Sequence, residues 1–265
     1  MSTLRSTCVA LALATAPVAS AQHVGDIGLR IASGTIETTE ITGGGYGAPR
    51  RVFTGTFGDT GVAWFTANPG YDAAPGTFAA GTRAGVRFAE AVLAWDGSAF
   101  VPTSPSGALA GERLRLSFLT ASATSAAGPA AGIDLAVQAD GGWHRHFNMT
   151  LLPAPGAAAP DVGVYLVALE AYSTAAGVSA SARYWLVLNG GDTPERWADA
   201  VAAAEAMANP PTCPADLDGD GTVGGADLGL LLGAWGTAGP GDLDGSGTVT
   251  GSDLGLLLGG WGACP

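Results

Sequence analysis

Two stretches near the end of the chain carry acidic side chains at a repeated spacing. DLDGDGTVGGADLGLLLGAWG starts at Asp216, and DLDGSGTVTGSDLGLLLGGWG starts at Asp242, 26 residues later. Calcium takes six to eight oxygen ligands, and a twelve-residue loop supplies them from positions 1, 3, 5, 7, 9 and 12. Both stretches match this spacing, with Gly221 and Gly247 at the sixth position, where the backbone must turn sharply. The spacing therefore predicts two calcium sites.

The predicted ligands are side-chain oxygens, except for the main-chain carbonyl of a threonine at position 7. For the first ion they are Asp216, Asp218, Asp220, Thr222 and Asp227, with Gly224 at position 9 acting only through a water. For the second ion they are Asp242, Asp244, Ser246, Thr248, Thr250 and Asp253. We expect weaker binding of the second ion because Ser246 replaces a carboxylate. Val223 and Val249 follow the carbonyl ligands, where paired loops are expected to join through a short β-bridge.

An acidic, glycine-rich linker is the alternative interpretation of these stretches. Between Cys213 and Cys264 the chain has seven acidic residues, all at ligand positions, and it has no Lys, Arg or Glu there. A linker would also have no reason to repeat LGLLLG and a tryptophan at matching places. The pattern favours calcium binding.

Residues 216–261 resemble the type I dockerin module, a tandem pair of EF-hand-like calcium loops. The resemblance lies in the Asp at position 12 and in the single short helix that follows each loop. It implies a small α-helical, calcium-binding module that docks onto a cohesin domain of a scaffolding protein. Dockerins contact cohesins from loop positions 10 and 11, which here are Gly225, Ala226, Gly251 and Ser252. These residues lack the polar recognition pairs of dockerins, so the expected partner is a cohesin-like or another extracellular protein.

The first 21 residues predict a secretory signal peptide. One arginine precedes an apolar run that ends in Ala19-Ser20-Ala21, and the run is too short to span a bilayer. Cleavage would remove Cys8 and leave Cys213 and Cys264, which bracket the repeat. In an oxidising compartment these two are expected to form a disulfide, with a pair of free thiols as the alternative. The expected location is secreted or at the cell surface, either extracellular or periplasmic, with no membrane span after cleavage.

The charge of the chain argues against one class of partner. The formal net charge is −12 and the chain contains no lysine. A protein that follows a phosphate backbone needs a basic face, so nucleic acid is excluded as an expected partner.

Residues 22–191 predict a mainly β body with a β-sandwich or jelly-roll architecture. Short apolar runs alternate with segments rich in Gly, Pro, Asp and Ser. One run, VGVYLVALEAY from residue 162, is apolar on both faces and is expected to be a central strand. Residues 192–212 predict a helix from Thr193 to Ala208 and a Pro-rich boundary before the dockerin-like module at 213–265.

The body contains one set of residues typical of a transition-metal site. In the predicted strand GWHRHFNMT, His144 and His146 lie on one face, about 7 Å apart along the strand. Two such imidazoles can bind zinc or copper with a third ligand, and His23 is the remaining histidine that could supply it. The alternative is that all three histidines are ordinary solvent-facing residues. His23 and residues 143–172 also resemble bacterial surface-anchored β-domains, some of which are encoded beside metal-uptake systems.

The sequence does not mark a catalytic site. Because dockerins are often fused to polysaccharide-degrading enzymes, a glycoside hydrolase or polysaccharide lyase, or a polysaccharide-binding subunit, is the alternative function. Its acidic candidates would be Glu90, Glu112, Asp134 and Glu170. Glycosidases need two carboxylates about 5–10 Å apart, and no local motif identifies such a pair. The sequence favours a non-catalytic protein docked through its calcium-binding module.

Overall fold

The computed structural model describes residues 25–43, 45–102, 111–209, 213–239 and 241–264. The predicted signal peptide and His23 lie outside these ranges. The described residues form two compact units: a body up to Asp96 that continues from Phe100 to Thr193, and a C-terminal unit from Pro194 that includes Gly97–Ala99.

The body is mainly β and contains three sheets. The first has the order β13 (Trp143–Arg145), β6 (Tyr71–Ala73), β1 (Ile27–Ala32), β2 (Thr35–Thr42) and β3 (Gly45–Pro49). The second has the order β11 (Ala121–Thr124), β10 (Arg113–Phe118), β14 (Asn148–Leu152) and β5 (Phe65–Thr66). The third has the order β12 (Ala130–Ala136), β7 (Arg83–Phe88), β15 (Gly163–Ser173), β16 (Tyr184–Gly190) and β4 (Val52–Thr56). Beside it, β8 (Leu93–Trp95) pairs with β15, and β9 (Phe100–Pro102) pairs with β8.

All three sheets contribute to one hydrophobic core. Ile27 of β1, Leu114 of β10 and Leu186 of β16 are fully buried members of it. Residues Gly163–Leu169 of β15 are buried, and β15 pairs with β16 on one side and with β7 and β8 on the other. This confirms the prediction that the segment is a central strand.

The predicted single strand through the two histidines is wrong. β13 ends at Arg145 and pairs with β6 in the first sheet, whereas β14 begins at Asn148 and pairs with β10 and β5 in the second. Trp143, Phe147 and Met149 are nevertheless all buried, so the alternation of buried side chains continues through the break. Sequence periodicity therefore does not reveal where the chain passes from one sheet to the next.

The C-terminal unit contains the three helices of the described chain. The first, α1, runs from Pro194 to Ala208, as predicted. The other two follow the predicted calcium loops: α2 spans Gly225–Gly233 and α3 spans Gly251–Gly259. The short strands β17 (Thr222–Val223) and β18 (Gly262–Ala263) pair antiparallel. None of these helices is long and apolar enough to cross a membrane.

Candidate metal centres

The first predicted calcium loop folds around Asp216 and Asp227. Asp216 Oδ1 accepts hydrogen bonds from Gly219 N at 2.8 Å and Asp220 N at 3.1 Å, and its Oδ2 accepts one from Gly221 N at 2.9 Å. Asp227 Oδ2 accepts from Gly224 N at 2.7 Å, which caps the start of α2. The loop backbone is thus closed on the carboxylates at its first and last positions.

The second loop repeats this arrangement. Asp242 accepts from Ser246 N at 3.0 Å and Gly247 N at 2.7 Å. Asp253 Oδ2 accepts from Thr250 N at 2.7 Å, while Thr250 Oγ1 accepts from Ser252 N at 3.3 Å, a reciprocal cap at the start of α3. The twelfth position therefore both caps the helix and contributes a carboxylate to the loop.

Three carboxylates come together in each loop. Ligand oxygens of Asp216, Asp218 and Asp227 lie within 4.8 Å of one another, and so do those of Asp242, Asp244 and Asp253. Asp220 is not part of the first cluster. In the second loop, Ser246 Oγ lies 3.4 Å from Asp242 Oδ1 and Thr250 Oγ1 lies 3.2 Å from Asp253 Oδ2. Asp220 Oδ1 accepts from Thr222 N at 2.8 Å, and Ser246 Oγ donates to the Thr248 carbonyl at 3.3 Å.

Neighbouring carboxylates and backbone hydrogen bonds shift the pKa values of several loop aspartates. A hydrogen bond from Asp220 N lowers the pKa of Asp218, but desolvation and the neighbouring carboxylates outweigh it and raise this pKa above its ordinary value. At the cap, the hydrogen bond from Gly224 N holds the pKa of Asp227 below its ordinary value despite desolvation, and Thr250 N does the same for Asp253. Since folding lowers these two pKa values, the caps stabilise the fold above the ordinary pKa of aspartate and weaken as the pH falls through the lowered values.

The donor chemistry of both loops fits calcium. The clustered donors are carboxylate oxygens, which hard divalent cations prefer, and neither cluster contains nitrogen or sulfur. A bound cation would offset the repulsion that raises the pKa of Asp218. These residues can bind a metal, and the identity of the ion as calcium is an inference from the loop spacing.

The expected bridge between Val223 and Val249 is not formed. Val223 in β17 instead pairs with Gly262, beyond α3. Val249 N donates to the Thr237 carbonyl at 2.9 Å and its own carbonyl accepts from Gly236 N at 2.9 Å, beyond α2. Each loop thus pairs with the segment that follows the other helix. Both valines can be fully buried in this way, on a core shared with Leu231 and Leu257.

The predicted disulfide is confirmed. Cys213 and Cys264 are bonded, with their Cα atoms 5.8 Å apart. The bond joins the chain just before the first loop to the segment after α3, so it closes the ends of the two-loop region.

The two short helices and the residues just after them leave large apolar side chains in solvent, a set that we call the apolar strip. Each member has an equivalent 26 positions away in the other repeat, and all are about half exposed. They are Leu230, Leu232, Trp235, Leu256, Leu258 and Trp261. Only Leu231 and Leu257 of the LGLLLG segments are fully buried. Several large apolar side chains exposed in this repeated way mark a candidate interaction surface.

In the body, the structure brings His144 and His146 together with an aspartate that the sequence does not mark. The two imidazole rings lie 5.2 Å apart between centroids. Ligand atoms of Asp26, His144 and His146 all lie within 4.8 Å of one another. Asp26 takes the place that the sequence predicted for His23, which is outside the described residues. Asp26 precedes an ordinary apolar strand, so only the strand pairing could have revealed it.

The acidic residues considered for glycoside chemistry are engaged elsewhere. Glu170 Oε2 lies 2.8 Å from Arg87 Nη2, Glu90 pairs with Arg183, and Asp134 pairs with Arg83. Tyr172 also donates to Asp134 at 2.8 Å. Glu112 is buried, and its Oε1 lies 3.4 Å from Asp161 N. These contacts account for the four side chains structurally and do not favour a catalytic role.

The comparison with known proteins gives no family for the chain. No family model matches the sequence, and no curated protein is similar to it at a significant level.

Proposed function

We propose that this chain is an exported, non-catalytic surface or extracellular protein with a β-sandwich body and a dockerin-like module that binds two calcium ions. The observation that carries the proposal is the twofold repetition in the C-terminal unit. Two loops each gather three carboxylates, and each precedes a short helix with exposed leucines and a tryptophan just beyond its end, all repeated in the other copy. The clusters supply the cation sites, and the apolar strip supplies a surface for a partner.

Calcium binding would couple the loops to the strip. Asp227 and Asp253 contribute to the carboxylate clusters and also cap α2 and α3. When bound, the ions neutralise the clustered carboxylates and hold these caps in place. The helices, and with them the apolar strip, are then presented in a defined geometry.

The chemistry of the strip indicates the kind of partner. α2 and α3 contain no basic residue, and their acidic residues are the ligands Asp227 and Asp253. The centre of a partner surface should therefore be apolar or aromatic, with little charge. A cohesin-like domain or another extracellular protein with such a surface is the proposed partner.

Calcium titration by calorimetry tests the module. We expect two bound ions in the wild-type protein and the loss of one ion in each of Asp227→Asn and Asp253→Asn. Glu195→Gln, at an exposed position in the first turn of α1, is the matched control and should keep both ions. A folded wild-type protein that binds no calcium would contradict the proposal.

Docking is tested with a panel of immobilised type I cohesin domains. We expect binding in calcium, none in chelator, and at least tenfold weaker binding of the Leu232→Gln/Leu258→Gln double variant. Leu119→Gln is the matched control because Leu119 is a highly exposed leucine of the body. Binding that does not change in the double variant would contradict the role of the apolar strip. A calcium-loaded protein that binds no cohesin domain would contradict a cohesin partner.

A further inference from the structure

We infer that Asp26, His144 and His146 form a zinc-binding site on the body, separate from the calcium loops. Ligand atoms of these three residues lie within 4.8 Å of one another. Imidazole nitrogen and carboxylate oxygen are the ligands of many zinc sites.

His146 is oriented as a metal ligand. Its Nδ1 lies 2.9 Å from the Ala67 carbonyl oxygen, which can only accept, so Nδ1 carries the proton. In the neutral ring, Nε2 then has a lone pair, and it faces Asp26 Oδ2 at 3.3 Å. Two acceptors at this distance need a proton or a cation between them. A ring whose Nδ1–H donates to a backbone carbonyl presents Nε2 on its other side, which is the orientation of many metal-binding histidines.

The separation of these two atoms fits zinc. Zinc ligands lie about 2.0–2.1 Å from the ion, so two of them at the tetrahedral angle are about 3.3 Å apart. The His146 Nε2 and Asp26 Oδ2 atoms are already at that separation. Little rearrangement of either side chain would be needed to bind the ion.

His144 is positioned by a second aspartate. Strand β13 pairs with β6 so that His144 lies opposite Asp72, and its Nδ1 is 3.2 Å from Asp72 Oδ1. Asp72 is fully buried, and the Tyr46 hydroxyl donates to its Oδ2 at 2.7 Å. A proton on His144 Nδ1 would be directed to Asp72, and the ring would then bind the ion through Nε2. A carboxylate behind a metal-binding histidine is the usual outer-shell arrangement and makes the ring a better ligand.

The orientation of the Asp26 carboxylate and the position of the His146 ring are also constrained by their neighbours. Gly70 N donates to Asp26 Oδ1 at 2.8 Å, which directs the other oxygen toward His146. A Cβ atom at Gly70 would lie 2.5 Å from the His146 ring, so only glycine leaves room for the ring in this position. The two histidine side chains remain 30% and 27% exposed, which allows an ion to enter from solvent.

The test is a titration of the purified protein with zinc chloride while calcium saturates the loops. We expect one equivalent of zinc beyond the calcium, loss of at least 100-fold in affinity in His146→Ala, and a comparable loss in Asp26→Asn. Asp72→Asn should weaken binding about 10–100-fold because it acts only through His144. Replacement of zinc by cobalt should give the visible spectrum of a nitrogen- and oxygen-ligated ion, a signature that a merely structural role of these residues would not produce.

Three further variants test whether any loss of zinc binding is specific to this site. Gly70→Ala removes no ligand, but it should weaken zinc binding by displacing the His146 ring. Asn148→Ala, at an exposed position two residues after His146, is the matched control and should bind zinc like the wild type. Asp216→Asn should weaken calcium binding and leave zinc binding unchanged, which separates this site from the proposed docking module. Circular dichroism melts verify that each variant is folded.

Two results would overturn the inference. One is a folded wild-type protein that binds no zinc at micromolar concentrations. The other is zinc binding that survives in both His146→Ala and Asp26→Asn. Either result would reduce the cluster to a structural contact between histidines and aspartates.

Discussion

The two candidate metal sites are built in opposite ways. Each predicted calcium loop takes its carboxylates from twelve consecutive residues, for example Asp216 to Asp227. The histidine cluster draws Asp26 from before β1 and two histidines from β13 and the residue after it, more than 100 positions later. One site is therefore local in sequence, and the other exists only after the first sheet has formed.

The cores beneath the two sites differ as much as the sites do. Among the described residues, the body core contains 28 buried apolar side chains, whereas the core beneath the loops contains five. A small core stabilises a fold only weakly, and small domains usually need a disulfide or a metal in addition. The loops should thus depend on their ion for folding, and the body should hold its site without one.

Removal of calcium should have the largest effect and tests this difference directly. In chelator we expect residues 213–264 to lose most of their helical structure while the body keeps its strands. When free calcium is about a thousand times the Kd, the lost stabilisation is about 4 kcal/mol. Hydrogen exchange measured along the chain distinguishes the two units. Equal protection of α2 and α3 with and without calcium would contradict the dependence of the loops on the ion.

Removal of the disulfide should come next. The bond between Cys213 and Cys264 closes a loop with a sequence separation of 51, which corresponds to about 4 kcal/mol in the chain-entropy model. We expect the Cys213→Ser/Cys264→Ser protein to unfold in its C-terminal unit at much lower denaturant concentration, with an unchanged transition for the body. A shift of both transitions together would show that the units are not energetically separate.

Neighbouring leucines of α2 should differ sharply in their effect on stability. Leu231 is fully buried, so Leu231→Ala should destabilise the C-terminal unit by about 2–5 kcal/mol. Leu232 is half exposed, and Leu232→Ala should change stability by less than about 0.5 kcal/mol. Chemical denaturation in saturating calcium measures both. A large loss for Leu232→Ala would place that side chain in the core rather than in the apolar strip.

A charge change in the second loop should give the smallest effect. Ser246→Asp adds the carboxylate that Asp220 provides in the first loop, so calcium should bind the second loop about tenfold more tightly, or about 1.4 kcal/mol. Calorimetry should show the two sites becoming more alike in affinity. The reverse substitution, Asp220→Ser, should weaken the first site by a similar factor. No change in either variant would argue against position 5 as a ligand.

Several features of the chain could be predicted from local patterns or, for the disulfide, from the two cysteines that remain after the predicted signal peptide. The disulfide between Cys213 and Cys264, the helix from Pro194 to Ala208 and the central strand β15 are all confirmed. The helix depends on a local start signal, and the strand depends on an unbroken apolar run. The contribution of His23 to a metal site remains a prediction.

Other features could not be predicted because strand pairing decides them. At His146 and Phe147 the chain leaves the first sheet and enters the second. The alternation of buried residues continues through this point, so sequence periodicity does not reveal the change of sheet. The crossed pairing of Val223 and Val249 with segments beyond the opposite helices also depends on how the two repeats pack together.

The repeated loops could be found without the fold, since a twelve-residue turn brings its own carboxylates together whatever surrounds it. The sequence also determined which leucines are available to form the small core and the apolar strip, but not which of them would be buried. The meeting of Asp26 with His144 and His146, and the position of Asp72 behind His144, arise from the folding of the sheet. Those contacts require β6 to lie between β1 and β13, and such long-range pairing is set by the packing of the whole sheet on its core.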